Sequence, residues 1–129
     1  MRLLLDTHVA IWALASPELI PARIADLIAD PDNDVYVSAA SVWEIAIKFS
    51  LGKASAPPFS ASDATAYFAE AGFMSLPVTA AHAAAVEELP PLHADPFDRI
   101  LLAQAISEPL RLVSHDAKLA AYGSMVLSW

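Results

Sequence analysis

The hydrophobic pattern opens on "RLLL", a short, continuously apolar run that stops at Asp6. Such a run fits a strand buried on both faces, as in a parallel sheet. Helical spacing follows through Val9, Ile11, Trp12 and Leu14, and a second helix is predicted from about Pro21 to Ala29 with Ile24, Leu27 and Ile28 inward. "DPDND" reads as a turn, "VYVS" as the next strand, and "AASVWEIAIKFSLGK" as a helix ending near Gly52. After the loop "ASAPPFSAS", Ser62 is expected to cap a helix that stops at Gly72. "FMSLPV" gives a third strand, "TAAHAAAVEEL" a helix and "PPLHA" a loop into "HADPFDRILLAQA". "LRLVS" is a fourth strand, "AKLAAYG" a short helix and "MVLSW" a last strand. Strands alternating with helices predict a three-layer α/β/α sandwich around a mostly parallel sheet of about five strands. No repeat or linker interrupts the pattern, so residues 1–129 are expected to form a single domain.

Composition narrows the function. The chain is 57% hydrophobic, so its elements must pack on both sides. It holds no cysteine, which excludes disulfides and thiolate metal sites. Fifteen acids against seven lysines and arginines give a net charge of −8. That argues against a passive nucleic-acid coat, which usually carries a basic stripe, but not against an enzyme that meets phosphate through bound cations. The opening "MRLLLDTHVAIWALASP" imitates a signal peptide, yet Asp6 and His8 break its apolar run. No stretch approaches the roughly 18 apolar residues of a membrane helix, and the chain is expected to be soluble and intracellular.

The acids carry the candidate chemistry. Asp6 ends the first strand, Glu44 lies in the first or second turn of the helix after the second, and Asp98 opens the helix before the fourth. Asp116 follows the fourth strand directly. In a parallel sheet the carboxyl ends of strands and the amino ends of the following helices share one edge, where ligands bind at the reversal of strand order. Asp6, Glu44, Asp98 and Asp116 are therefore expected in one crevice. Such a gathering raises carboxyl pKa values and opposes folding. Mg²⁺ or Mn²⁺ relieves the repulsion and can activate water against a phosphodiester.

Each acid also has a structural alternative. Asp95 suits an N-cap, with Pro96 at the first helical position and Asp98 near the positive end of the helix dipole. Ser41 and Glu44 could form a capping box, Glu44 stands four residues before Lys48, and Asp116 could cap the last helix. Asp6 has no evident local duty. His8 and His115 flank two of the acids, and Arg99 could meet either substrate phosphate or a neighbouring acid. Trp12, Trp43, Phe49 and Phe97 stand at helical spacing and are expected mostly in the core. The three glycines form no phosphate loop.

"LLLDTHVAIW", "SAASVWEIAIKFSLGK", "HADPFDRILLAQA" and "LVSHDAKLAAYG" stand in the order and spacing of PIN-domain proteins, and resemble above all the VapC toxins of bacterial toxin–antitoxin pairs. The resemblance runs from the first strand nearly to the last residue. It implies a Mg²⁺-dependent endoribonuclease, with Mn²⁺ as the other candidate ion. By position, Asp6 and Asp98 resemble the main metal ligands, and Glu44 and Asp116 the remaining acids of the cluster. Asp95, Arg99 and Thr7 are candidates for an outer shell around them. It also implies a homodimer and a small VapB-like antitoxin whose basic tail suits the negative charge. Ser114 stands where threonine is as readily expected, and the scarcity of basic residues leaves the grip on RNA to the metals or a dimer groove. An inactive PIN-fold binding module, and an acidic-pocket phosphotransferase or receiver domain, are the competing classes. A phosphotransferase of the haloacid-dehalogenase type would want an acid at His8, and a receiver would want adjacent acids after the first strand.

Overall fold

The structure, a computed structural model, describes residues 1–129. Five parallel strands, β1 (Arg2–Leu5), β2 (Asp34–Ser38), β3 (Met74–Leu76), β4 (Arg111–Val113) and β5 (Val126–Leu127), lie in the order β3-β2-β1-β4-β5. The flanking helices are α1 (Thr7–Ala15), α2 (Ala22–Ala29), α3 (Ala39–Leu51), α4 (Ala61–Glu70), α5 (Ala80–Ala85), α6 (Pro96–Ser107) and α7 (Ala117–Ala120). This is the expected α/β/α sandwich.

Period-two alternation on β1 builds the layers. Leu3 and Leu5 face a core shared with Val9, Ile24, Ile45 and Phe68, contributed by α1 to α4. Leu4 faces the opposite core, with Leu101, Leu102, Leu112 and Leu119 from α6, β4 and α7. β1 is thus covered on both faces, which accounts for its unbroken apolar sequence.

The strand order reverses beside β1. The chain proceeds outward through β2 and β3, then crosses to β4 and β5 on the other side. Leu5 pairs in register with both Val37 and Val113, so the residues that follow, Asp6, Ser38 and Ser114, emerge together at one edge. The Asp6 amide donates to the Val113 carbonyl at 3.0 Å and locks that alignment. Ser38 caps α3 through the Ala40 amide, and Gly52 ends α3 in the left-handed region at φ 63°.

Two expectations change. Ser60, not Ser62, caps α4, its hydroxyl accepting from the Asp63 amide. The loop runs two residues shorter because Ser60 has the extended backbone a cap requires. The aromatics are also less buried than their spacing suggests. Trp43 is 63% exposed and Phe49 44% exposed, while Trp12 and Phe97 are half-buried. α3 turns Ile45 and Glu44 inward, which leaves Trp43, Ile47 and Leu51 as an outward ridge at i, i+4 and i+8. Trp43 meets Phe97 edge-on at 5.2 Å between ring centroids.

Leu4 is fully buried in a layer that cannot collapse around a gap without moving β4. Leu4→Ala is expected to destabilise the protein by about 2–5 kcal/mol. Chemical denaturation checks this: the midpoint falls while the denaturant slope is unchanged.

Candidate metal centre

Asp6 sits 3% exposed at the end of β1. Contrary to the expectation that it lacks a local duty, it is the N-cap of α1, with Oδ1 accepting from the Val9 amide at 2.8 Å. Burial pushes its carboxyl up to about 6. Hydrogen bonds from the Ser114 hydroxyl and the Val9 amide, and the charge of His8, pull the other way, while the charge of Asp98 adds to the rise.

Asp98 lies in the first turn of α6, where its Oδ2 stands 2.7 Å from Nε2 of His93. Burial raises its pKa first; the His93 hydrogen bond opposes this, and the nearby charges of Asp95 and Glu44 add to the rise. Asp6 therefore senses the charge of Asp98, and Asp98 that of Glu44, although the three come from separate elements.

Glu44 lies in the second turn of α3, 3% exposed. Its Oε2 pairs with Lys48, while Oε1 is buried with no hydrogen-bond partner. The i, i+4 pair expected on the surface thus exists, but its acid end is inside. No capping box forms at Ser41, since Ser38 is the cap and the Ser41 hydroxyl accepts from Thr7 at 2.9 Å. Asp116 caps α7 through Oδ1 on the Lys118 amide at 2.8 Å. Its Oδ2 lies 3.5 Å from Nε2 of His93.

The crevice accordingly collects Asp6, Glu44, Asp98 and Asp116, and only Glu44 meets a lysine or arginine. The three outer candidates behave differently. Asp95 caps α6, Oδ1 accepting from the Phe97 and Asp98 amides. Thr7 turns its hydroxyl to Ser41 rather than to an acid. Arg99 meets no acid either: its guanidinium donates to the carbonyls of Val86, Pro90 and His93. His8 and His115 gather about Trp12, with ring centroids 6.1 and 6.0 Å from it.

The sequence reading missed His93, which it left within a loop. Its ring is 8% exposed, and His93, Asp98 and Asp116 offer one nitrogen and two oxygens within 4.8 Å of one another. The only sequence signal was a histidine in the loop that enters an acid-capped helix at the ligand edge.

The donor set fits a divalent cation. Carboxylate oxygens suit hard ions, Asp6 and Asp98 have no lysine or arginine partner, and the lone Oε1 of Glu44 has no hydrogen-bond partner at all. Next to the acids, a cleft of about 470 Å³ is lined by Thr7, His8, Trp12, Glu44, Lys48 and Lys53 among others.

The PIN domain family model matches residues 3–124. The chain belongs to the PIN domain family. No curated protein matches this PIN domain in sequence. Its fold is similar to that of VapBC2 from Rickettsia felis bound to a DNA fragment from its promoter, at 16% identity and a TM-score of 0.71, covering 100% of this chain and 98% of that one. It is likewise similar to DNA-bound VapBC from Salmonella typhimurium, at 14% identity and a TM-score of 0.65, covering 100% and 97%. VapBC-1 from nontypeable Haemophilus influenzae matches at 16% identity and a TM-score of 0.62, again covering 100% and 97%.

A carboxyl whose pKa is higher folded than unfolded favours the folded state only when protonated. For Asp6 that contribution is complete below about 3.8 and is lost as the pH climbs to about 6. Asparagine keeps a capping oxygen without the charge. In chelator, Asp6→Asn is expected to raise Tm by roughly 5–10 °C at pH 7, with the gain vanishing near pH 4. Thermal melts of parent and variant between pH 4 and 8 measure this.

Proposed function

We propose that this PIN domain, acting as one domain over residues 1–129, is a metal-dependent endoribonuclease of the VapC toxin type. The observation that carries the reading is the convergence of Asp6, Glu44, Asp98 and Asp116 on the strand-reversal edge with one lysine among them. A divalent ion bound there, Mg²⁺ or Mn²⁺, supplies positive charge to the phosphate and acidity to a water.

The chain supplies the rest. Asp6 and Asp98 are the principal ligands; Oδ1 of Asp6 accepts from the Val9 amide, and Oδ2 is the oxygen offered to the ion. Oε1 of Glu44, buried and unpartnered, is free to accept a proton from the attacking water and hold that water in line. Lys48 fixes the carboxylate's other oxygen, so Oε1 keeps one orientation. Asp116 completes the cluster from the far side. Lys53 lines the adjoining cleft beside the Glu44–Lys48 pair and is suited to a phosphate that flanks the scissile one. Trp12 and His8 on the same cleft wall offer aromatic surface to an unstacked base.

Among the solved structures that share this fold, one from Klebsiella pneumoniae is a toxin–antitoxin complex. We extend that partnership to this chain: a small antitoxin with a basic tail occupies the acidic crevice, and the toxin works as a homodimer in the cytoplasm. The net charge of −8 suits such a tail. No helix is long and apolar enough to cross a membrane.

Purified protein is expected to cut structured RNA with Mg²⁺ or Mn²⁺ and to stop in chelator. Asp6→Asn and Asp98→Asn are each expected to slow cutting at least about 100-fold. Variants that cut as fast as the parent would remove these residues from catalysis. A stable phosphoryl group on Asp6 after incubation with a phosphoryl donor would instead favour the receiver or phosphotransferase class.

A further inference from the structure

His93 lies on the segment between the 3₁₀ turn Val86–Glu88 and α6, a stretch with no regular structure of its own. Two side chains nevertheless anchor that segment. Arg99 donates to the carbonyls of Val86 at 3.1 Å, Pro90 at 3.4 Å and His93 itself at 3.1 Å. The Tyr122 hydroxyl donates to the Pro90 carbonyl at 2.7 Å and accepts from the Leu92 amide at 3.2 Å. A guanidinium spread over three carbonyls is a rigid clamp. Its effect is to hold the His93 ring, nearly buried, between the carboxylates of α6 and α7.

The spacing is that of donors around one ion. Nε2 of His93 lies 2.7 Å from Oδ2 of Asp98 and 3.5 Å from Oδ2 of Asp116. Adjacent ligands of an octahedral ion with bonds of about 2.1 Å stand roughly 3 Å apart. Asp116 has already given Oδ1 to the cap of α7, so Oδ2 is its remaining donor. An independent observation in the same crevice suits a cation: Oε1 of Glu44 is buried and without a partner, on a side chain whose charge reaches Asp98.

We propose that His93 is a nitrogen ligand of the ion held by Asp98 and Asp116, and that this imidazole tunes the centre toward a first-row transition ion such as Mn²⁺ in preference to Mg²⁺. The proposal rests on the reading that the crevice binds a divalent cation. Mg²⁺ gains little from replacing water oxygen by nitrogen, whereas transition ions bind imidazole well. The ring binds as the neutral form with its proton on Nδ1, so the contact from Nε2 to Asp98 gives way to the ion. Arg99 is then a positioning residue, acting through the loop carbonyls.

The rival role for His93 is a hydrogen bond that merely orients Asp98. Mn²⁺ added to the full chain separates the two. Electron spin-echo spectra are expected to carry ¹⁴N modulation from one imidazole, absent in His93→Gln and retained in His8→Gln. Titration calorimetry is expected to show the ratio of Mn²⁺ to Mg²⁺ affinity falling about tenfold or more in His93→Gln. Melting in chelator verifies that the variant is folded. Bound Mn²⁺ without nitrogen modulation overturns the proposal, as does an equal loss of both affinities or an absence of Mn²⁺ binding. RNA cutting measured alongside keeps the two readings apart. Cutting without nitrogen modulation removes His93 alone, and nitrogen modulation without cutting removes the nuclease while the ligand stands.

Discussion

Negative charge confined in a desolvated crevice is the constraint around which this molecule is arranged. Burial raises the pKa of both Asp6 and Asp98, and neighbouring carboxylates add to it across the strand-reversal edge, in surroundings that give the two no arginine or lysine. The fold tolerates this partly because helix amino ends meet there. Asp6, Asp95 and Asp116 each cap a helix, and the N–H groups they engage partly compensate the charge. Capping and metal binding are therefore not competing explanations for the same acid. A carboxylate has two oxygens, and at Asp6 and Asp116 one closes the helix while the other is left over.

The same division clarifies what could be read from the chain. Continuous apolar strands, abrupt acidic ends and helical spacing are local patterns, and they disclosed the sandwich and the edge where the acids meet. The capping role of Asp6 escaped notice because a strand-ending acid and a helix-starting acid are one residue when no loop separates them. Ser60 was missed for a related reason: two serines compete for the cap in "ASAPPFSAS", and the backbone conformation that decides between them is not written in either side chain.

His93 and Arg99 illustrate a harder limit. Arg99 recognises carbonyls of Val86, Pro90 and His93, and a carbonyl is identical at every residue. No pattern of side chains announces such a contact. Trp43 and Phe49 on α3 differ from expectation for the opposite reason, since aromatic residues at helical spacing look alike whether they face the sheet or solvent. Glu44, inward on that helix, settles which face is which.

The central strand comes from the beginning of the chain, yet one of its two neighbours comes from near the end. Ribosomal synthesis delivers β1, β2 and β3 long before β4 and Asp116. Until those last segments emerge, β1 has a bare edge and the acidic pocket lacks one wall. The crevice is in this way complete only once segments far apart in the sequence have paired.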